Sequence, residues 1–456
     1  MIERLVKLHF RPEATAAFEA IFAESRDKIR AQAGCIHLEG WRAIDNPNCY
    51  FTYSRWLDEE SLNAYRQSDL FRGVWPRTKA LFSAKPEAIS AKRLSELAPP
   101  AAGHQRMVLD DYHLDFGPLA STQIDWLKSC DYTAWVVIAD ELTEKYCWPR
   151  LLPLLEGHPT YLITVPAGER HKHLDTTRFI WEELFRLKAG RRWCVLNLGG
   201  GVIGDMGGFA ASTFKRGIDF IQLPTTLLSQ VDASVGGKLG VDFYELKNSI
   251  GVFRNPRAVW IDPAFLATLP ARELRSGYAE VIKHALIADH DQWQRLQQLT
   301  DLGQADWSAI IPASVNIKYQ IVQQDPMEQG LRKVLNFGHT IGHAIESYWL
   351  STEQRLLHGE AIAAGMIMEA WLSTQISGLP AADLAEISQY LLHIYGHQSV
   401  PVAALEDLLD LMRQDKKNED ERINFSLLST AGSCLVNQTA DAELIRQSIE
   451  YYNKLG

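Results

Sequence analysis

WCVLNLGGGVIGD, residues 193–205, indicates the fold class of the larger part of this 456-residue chain. An apolar run of strand character leads directly into Gly199-Gly200-Gly201-Val202-Ile203-Gly204, a GxGxxG pattern at a strand-to-helix turn. Glycine there lets the backbone approach a pyrophosphate at a helix N-terminus, although glycine-rich turns also serve close helix-on-strand packing. The acidic residue expected about 20 positions later is not clearly present. The pattern leaves both roles open, and a dinucleotide would be held in a variant manner.

Further strand-like runs lie before this turn. AWVVIAD (134–140) and TYLITV (160–165) alternate with helical stretches, which is typical of a parallel sheet covered on both faces. From Pro263 onward the pattern is almost wholly helical. We therefore predict a Rossmann-like α/β domain over residues 107–262 and an all-helical domain over residues 263–456.

A separate α+β unit is predicted for residues 1–94. Val6, Leu8 and Phe10 face one way on a first strand, and Pro12 opens a helix. Two strands near 35–44 and 49–56, a helix from about residue 59 and a strand near 88–94 complete the ferredoxin-like order β-α-β-β-α-β. Residues 95–106, which include SELAPPAAGHQ, are predicted to be a linker.

Composition limits the partners of the chain. A formal net charge of -10 argues against nucleic acid or an anionic membrane as the general partner. The six cysteines form no CxxC pair, so we expect reduced thiols. The N-terminal MIERLVKLHF lacks the pattern of a signal peptide, and no apolar run has spanning length. These features predict a cytoplasmic protein.

Four residues have the side chains of a metal site. His339 and His343 lie four apart in NFGHTIGHAIE, so on a helix both imidazoles project from one face. His358 and Glu280 offer a third nitrogen and an oxygen, a set suited to zinc or another divalent ion. From spacing alone, histidines that are merely hydrogen-bonded within the core remain an alternative.

Cations are concentrated around these positions. Arginine can clamp a phosphate or carboxylate with a bidentate fork, and lysine acts as a point charge. Each cation alone is more often a solvated surface charge, so only their convergence would make a site. The residues are Lys215, Arg216, Lys238, Lys247, Lys283, Lys318, Arg332, Lys416 and Lys417.

Seven blocks, in order, resemble the dehydroquinate synthase family of sugar-phosphate cyclases over about 350 residues. They are PAGERHK (166–172), LGGGVIGDMGGFAASTFKRGI (198–218), LPTTLLSQVDASVGGKLGVDF (223–243), LKNSIG (246–251), ELRSGYAEVIKH (273–284), LNFGHTIGHAIE (335–346) and LLHGEA (356–361). The N-terminal unit, through YFTYSRWLDEESLNAYRQSDLF, resembles antibiotic-biosynthesis-monooxygenase domains. For that unit a dimerisation module, an allosteric sensor and a second enzyme all stay open.

The resemblance implies a role for each matching residue. Glu280, His339 and His358 would hold zinc or cobalt, and His343 would face the substrate. NAD would be held by Asp140, Glu169, Lys172, Gly200, Gly201, Val202, Asp205, Thr225, Thr226, Lys247 and Thr268. The substrate pocket would comprise Asp232, Lys238, Asn248, Lys283, Lys318, Arg332, Asn336, His343 and Lys416 or Lys417, with Arg216 reaching across from a neighbouring subunit of a homodimer.

The implied reaction converts 3-deoxy-D-arabino-heptulosonate 7-phosphate to 3-dehydroquinate and phosphate, in the shikimate pathway. It proceeds by transient oxidation by NAD, phosphate elimination, reduction and aldol cyclisation, and the family commonly uses the substrate phosphate as base. Two departures stand out: Leu142 replaces a frequent asparagine, and the stretch between His343 and His358 is somewhat long. Alternatives are a cyclase for an amino analogue or sedoheptulose 7-phosphate, a metal-dependent polyol dehydrogenase, and a non-catalytic scaffold.

Overall fold

The computed structural model describes residues 2–44, 46–56, 59–91, 105–109, 111–244, 246–326, 328–350, 352, 355–414 and 423–456. Most of the predicted linker, together with Lys416 and Lys417, therefore lies outside the described residues. The chain divides into two compact units, residues 1–101 and 102–456. The finer division of the second unit at residue 262 stays a prediction. Within the described ranges no helix has the length and apolar character needed to cross a membrane.

The first unit is a four-stranded antiparallel sheet with helices on one face. Its strands are β1 (Ile2–His9), β2 (Cys35–Arg42), β3 (Cys49–Trp56) and β4 (Glu87–Ala91), in the sheet order β2-β3-β1-β4. Its helices are α1 (Thr15–Arg30), α2 (Glu59–Gln67) and α3 (Asp69–Lys79). Phe10, Phe18 and Tyr50 form one core cluster, and Trp56 centres a second one. The predicted ferredoxin-like order is therefore present.

The N-terminal helices differ from the prediction in one respect. The second helix is broken in two because Ser68 has extended backbone angles and its Oγ accepts a hydrogen bond from Phe71 N at 3.2 Å, which starts α3 as a new helix. Among the aromatic residues, Trp56 is buried, whereas Trp41 is 46% exposed on the sheet.

The second unit contains the predicted parallel sheet. Its seven strands run in the order β5-β6-β13-β10-β9-β7-β8, and all neighbours are parallel except β5 and β6. The strands are β5 (Gln105–Val108), β6 (His113–Phe116), β7 (Ala134–Asp140), β8 (Thr160–Val165), β9 (Trp193–Gly199), β10 (Asp219–Pro224) and β13 (Ala258–Ile261). A separate hairpin comprises β11 (Lys238–Phe243) and β12 (Leu246–Phe253).

Helices cover both faces of this sheet. They are α4 (Ser121–Ser129), α5 (Glu141–Tyr146), α6 (Trp148–Leu151), α7 (Leu174–Arg186) and α8 (Gly201–Thr213). Ile180 of α7 and Ile203 of α8 belong to the core of one face, and Leu127 of α4 and Leu151 of α6 belong to the core of the other. Burial on both faces explains why the strands are continuous apolar runs.

The remainder is mainly helical. Its helices are α9 (Ala271–Ala288), α10 (His290–Leu296), α11 (Trp307–Gln324), α12 (His339–Trp349), α13 (His358–Ile376), α14 (Ala381–Tyr395), α15 (Leu405–Gln414) and α16 (Ala442–Asn453). The prediction of an all-helical region was wrong at one place, where β14 (Asn424–Thr430) and β15 (Ser433–Thr439) form a hairpin. Gly432 permits the connecting turn with a φ of 95°. Leu427 and Leu428 of β14 are buried in the core that the helices form, so tertiary packing holds this hairpin within the helical region.

Candidate functional site

The glycine turn after β9 joins that strand to α8. Thr225 N donates a 3.0 Å hydrogen bond to Gly199 O, which ties the carboxyl end of β10 to that of β9. Further along α8, an added Cβ on Gly207 would lie 2.1 Å from Oδ1 of Asn197, so that glycine serves helix-on-strand packing. Gly200 and Gly201 are half-buried at the start of α8, where first-turn N–H groups attract anions. Val202 and Thr226 are half-buried beside this turn.

A lysine gathers polar residues beside this turn. Lys172 Nζ lies 2.7 Å from Asp205 Oδ2, 2.6 Å from Asn248 Oδ1 and 3.9 Å from Glu169 Oε1. Burial alone lowers the pKa of Lys172, but the carboxylates of Asp205 and Glu169 raise it above its usual value. The group therefore holds a charged ammonium at the carboxyl end of the sheet, where nucleotides bind in α/β folds.

The remaining predicted cofactor residues have local structural partners. Asp140 Oδ1 caps α5 by accepting hydrogen bonds from Leu142 N at 2.9 Å and Thr143 N at 2.8 Å. Thr268 Oγ1 donates to Phe265 O at 3.4 Å. Any contact of these two side chains with a nucleotide stays a prediction.

Glu280 on α9 meets two histidines at helix starts. Its Oε1 lies 3.3 Å from His339 Nε2 and 3.5 Å from His358 Nε2, and Lys283 Nζ pairs with Oε2. None of these contacts has the geometry of a hydrogen bond to a Glu280 oxygen, and the side chain is buried. Ligands about 2.1 Å from a tetrahedral ion are about 3.4 Å apart, so these separations fit a divalent metal.

The helix starts hold both imidazoles in place. Gly338, with φ 79°, leads into α12, and its N–H donates to Oε2 of the buried Glu369 at 2.7 Å. His339 Nδ1 lies 3.1 Å from Phe337 O, and His358 Nδ1 lies 3.2 Å from Glu346 Oε2. Partners at Nδ1 leave Nε2 of each ring facing Glu280, as second-shell contacts do in metal sites.

Electrostatics at the two histidines differ. Burial and the neighbouring Lys283 lower the pKa of His339 to about 3, so its imidazole is neutral. Burial also lowers the pKa of His358, but Glu280 and Glu346 outweigh it and raise the pKa to about 9. His343 belongs to the same group, since one nitrogen each from His339, His343 and His358 lie within 4.8 Å of one another. Its predicted place on the substrate side is not decided by these distances.

The hairpin strand β12 joins the two clusters. Lys247 Nζ lies 2.7 Å from Glu346 Oε1, and Glu346 also contacts His358. The next residue, Asn248, has a φ of 50° and its Oδ1 contacts Lys172. Lys247 and Asn248, which are adjacent in sequence, therefore link the group around Glu280 to the group around Lys172.

Several predicted substrate residues converge nearby. Lys318 on α11 is buried, and its Nζ lies 2.7 Å from Asp232 Oδ1 and 2.6 Å from Asp232 O. Burial raises the pKa of Asp232, but the Lys318 ammonium holds it below its usual value. Arg332 is also buried, and its Nη1 donates to Pro326 O at 2.7 Å. Arg216, by contrast, is exposed.

Sequence reasoning missed three residues of this group. Glu328 pairs with Lys238 Nζ and accepts a 3.3 Å hydrogen bond from Asn336 Nδ2. Glu346 connects Lys247 to His358, and His284 lies between Ser314 and Asp232. Glu346 and His284 occur within the quoted blocks, so their position next to predicted ligands was the available signal.

Comparison with known proteins matches these clusters to one family. Residues 162–276 match the 3-dehydroquinate synthase N-terminal model and residues 277–418 the 3-dehydroquinate synthase C-terminal model. A 3-dehydroquinate synthase from Parabacteroides distasonis is 40% identical over 341 residues, which are 74% of this chain and 96% of the relative. The chain belongs to the 3-dehydroquinate synthase family. A relative of the same name from Bordetella pertussis is 41% identical over 345 residues, with 74% and 96% covered.

Solved structures give the same fold for the second unit. A 2-epi-5-epi-valiolone synthase from Streptomyces hygroscopicus with NAD+ and Zn2+ bound is 25% identical, with a TM-score of 0.69, and covers 77% of this chain and 99% of its own. A 2-deoxy-scyllo-inosose synthase complexed with carbaglucose-6-phosphate, NAD+ and Co2+ has a TM-score of 0.67 at 24% identity and covers 76% and 99%. Residues 1–74 match the Antibiotic biosynthesis monooxygenase model, as the sequence predicted.

Proposed function

We propose that this chain is a 3-dehydroquinate synthase that converts 3-deoxy-D-arabino-heptulosonate 7-phosphate to 3-dehydroquinate and phosphate. One observation carries the proposal. Glu280, His339 and His358 converge at ligand spacing, and β12 joins this cluster to the lysine cluster beside the glycine turn. A cyclase that oxidises its substrate transiently needs a metal-type site and a nucleotide site within reach of one small molecule.

The donor sets suit the two cofactors. Glu280, His339 and His358 would hold zinc or cobalt, which would polarise a substrate hydroxyl. The glycine turn with Lys172 and Asp205 would hold NAD, which would accept a hydride temporarily. The chain itself keeps His339 neutral and Lys172 charged through the groups that surround them. Asp140, Glu169, Gly200, Gly201, Val202, Thr225, Thr226, Lys247 and Thr268 complete the proposed NAD set.

Buried cations favour a carboxylated substrate. Lys318 and Arg332 are only 5% and 3% exposed, so neither is a solvated surface charge. A carboxylate that reached them would gain charge-assisted hydrogen bonds in a site of low dielectric constant. Sedoheptulose 7-phosphate lacks that carboxylate, so we expect it to react poorly.

The other polar residues would orient the phosphate and the ring. Lys238, Asn248 and His343 suit the phosphate, with Lys416 or Lys417 as a further contact. Lys283, Asp232 and Asn336 would line the pocket. Arg216 would enter the site of a neighbouring subunit, so we propose that the protein is a homodimer. The proposed compartment is the cytoplasm.

A substrate panel tests the proposal. Full-length protein with NAD and Zn2+ or Co2+ is given 3-deoxy-D-arabino-heptulosonate 7-phosphate, its amino analogue or sedoheptulose 7-phosphate, and released phosphate and product mass are measured. We expect phosphate and 3-dehydroquinate from the first compound, and neither with Glu280→Ala. Preferential turnover of another compound would retain the cyclase chemistry and overturn the proposed substrate.

A further inference from the structure

His284 is a fully buried histidine between Ser314 and Asp232, and Asp232 belongs to the proposed substrate pocket. It follows Lys283 on α9 and is 0% exposed. Its Nδ1 lies 2.8 Å from Oγ of Ser314, which is equally buried on α11. Its Nε2 is 3.7 Å from Asp232 Oδ1 and has no hydrogen-bond partner among the described residues.

These contacts connect four side chains in series. Asp232 Oδ1 lies 2.7 Å from Lys318 Nζ, and Lys318 stands one helical turn after Ser314 on the same face of α11. The order Ser314, His284, Asp232, Lys318 therefore begins and ends on one helix. Of these four residues, only His284 has a buried polar atom without a hydrogen-bond partner. That atom is Nε2, which faces Asp232.

The surroundings select one tautomer. Burial lowers the pKa of His284, so the ring is neutral and carries one N–H. A bare Nε2 lone pair facing the Asp232 carboxylate would be repulsive, whereas an Nε2–H would be attractive. The proton then belongs on Nε2, and the Ser314 hydroxyl must donate to Nδ1.

The 3.7 Å distance between His284 Nε2 and Asp232 Oδ1 suggests a role in substrate binding. It is too long for a hydrogen bond, and in this structure Asp232 is already bound by Lys318. When Lys318 turns toward a substrate anion, Asp232 loses its cation and needs another donor, because a half-buried carboxylate without a partner is unfavourable. Nε2 of His284 is a nearby donor that has no other hydrogen-bond acceptor among the described residues.

We propose that His284 is a positioning residue, which takes over the Asp232 carboxylate from Lys318 and so frees the lysine for the substrate. The proposal rests on the function proposed above, because it gives Lys318 a substrate anion to bind. It predicts an effect on substrate affinity rather than on the fold.

A matched pair of substitutions tests this role. In His284→Gln the amide can reach the place of Nε2, whereas in His284→Asn it reaches only that of Nδ1. We expect the Asn variant to raise KM for 3-deoxy-D-arabino-heptulosonate 7-phosphate by about 10-fold or more, with a smaller change in kcat. We expect the Gln variant to stay within about 3-fold of the wild type. His393→Asn, at an exposed histidine, is the control.

A second readout needs no substrate. Side-chain 15N NMR of the NAD-loaded and metal-loaded protein, with the His284 signal assigned by its loss in the Asn variant, should show the proton on Nε2. Ser314→Ala should shift this tautomer balance and raise KM, and it replaces the Asn variant if that protein does not fold.

The outcomes separate the two proposals. Equal KM effects of Gln and Asn, or a proton on Nδ1 in the wild type, would overturn the role of His284. A wild type that releases no phosphate from any compound of the panel would overturn the proposed function, and the position of the proton would still decide the tautomer on which this inference depends.

Discussion

Oε1 of Glu280 lies 3.3 Å from Nε2 of His339, on two helices that are far apart in sequence. That spacing is longer than a good hydrogen bond and matches two ligands of one tetrahedral ion. Three elements, α9, α12 and α13, each contribute one member of the group. Together, these three residues form the proposed metal site.

Replacement of Glu280 by glutamine is expected to weaken Zn2+ binding by about 100-fold or more, because the anionic ligand is lost while the size of the side chain is kept. Competition with a chromophoric chelator measures the affinity. Glu273→Gln, at an exposed position of the same helix, should bind like the wild type. Equal affinities of the Glu280 variant and the wild type would contradict the ligand assignment.

Replacement of Asp205 by asparagine is expected to weaken NAD binding by about 10-fold. The substitution removes the carboxylate 2.7 Å from Lys172 Nζ and leaves a buried ammonium with a weaker partner. Quenching of tryptophan fluorescence on titration with NAD reports the affinity. Asp175→Asn, exposed in the first turn of α7, is the control, and an unchanged NAD affinity for Asp205→Asn would exclude this cluster from the nucleotide site.

Glu360 fixes the start of the helix that carries His358. Its Oε2 accepts a hydrogen bond from Leu357 N at 2.8 Å and pairs with Arg272 Nη2 at 2.7 Å. We expect Glu360→Ala to lower the free energy of unfolding by about 1–2 kcal/mol and to weaken metal binding as well. Urea unfolding checks the first effect, with the exposed Glu386→Ala as control. A loss of stability without any change in metal affinity would show that His358 does not depend on this cap.

Two cysteines should be almost unreactive at neutral pH. Burial raises the pKa of Cys35 and of Cys147 to about 11, and the thiolate is the reactive form. At pH 8 we expect alkylation by iodoacetamide to be at least about 100-fold slower than for the same cysteines in guanidinium, with a rate that rises as the pH approaches 11. Peptide mass spectrometry measures each site. Rapid labelling at pH 8 would contradict the burial of these thiols.

Local sequence signals predicted most of the architecture. The alternation of apolar strands with helices gave the parallel sheet, and the order of strands near Val6 and Trp56 gave the ferredoxin-like unit. The break at Ser68 and the hairpin turn at Gly432 were missed because each depends on a single capping or turn residue. Weak local signals of that kind decide where elements end.

The candidate site was predicted in part. The i, i+4 spacing of His339 and His343 placed both on one helical face, and the structure begins α12 at His339. No local pattern could reveal that Glu346 bridges Lys247 to His358, or that Glu328 reaches Lys238 and Asn336, since these contacts join distant elements. The carboxylate of Asp140 also caps α5, a local role that the motif does not indicate, and its contact with a nucleotide stays a prediction.

Simultaneous measurement of phosphate release and of absorbance by NADH distinguishes a cyclase from a dehydrogenase. The full-length protein, loaded with NAD and Zn2+, is mixed with 3-deoxy-D-arabino-heptulosonate 7-phosphate. A cyclase returns its hydride in every turnover, so we predict one 3-dehydroquinate for each phosphate and no net NADH. NADH that accumulates in proportion to substrate consumed, without phosphate release, would exclude a cyclase and identify a polyol dehydrogenase instead.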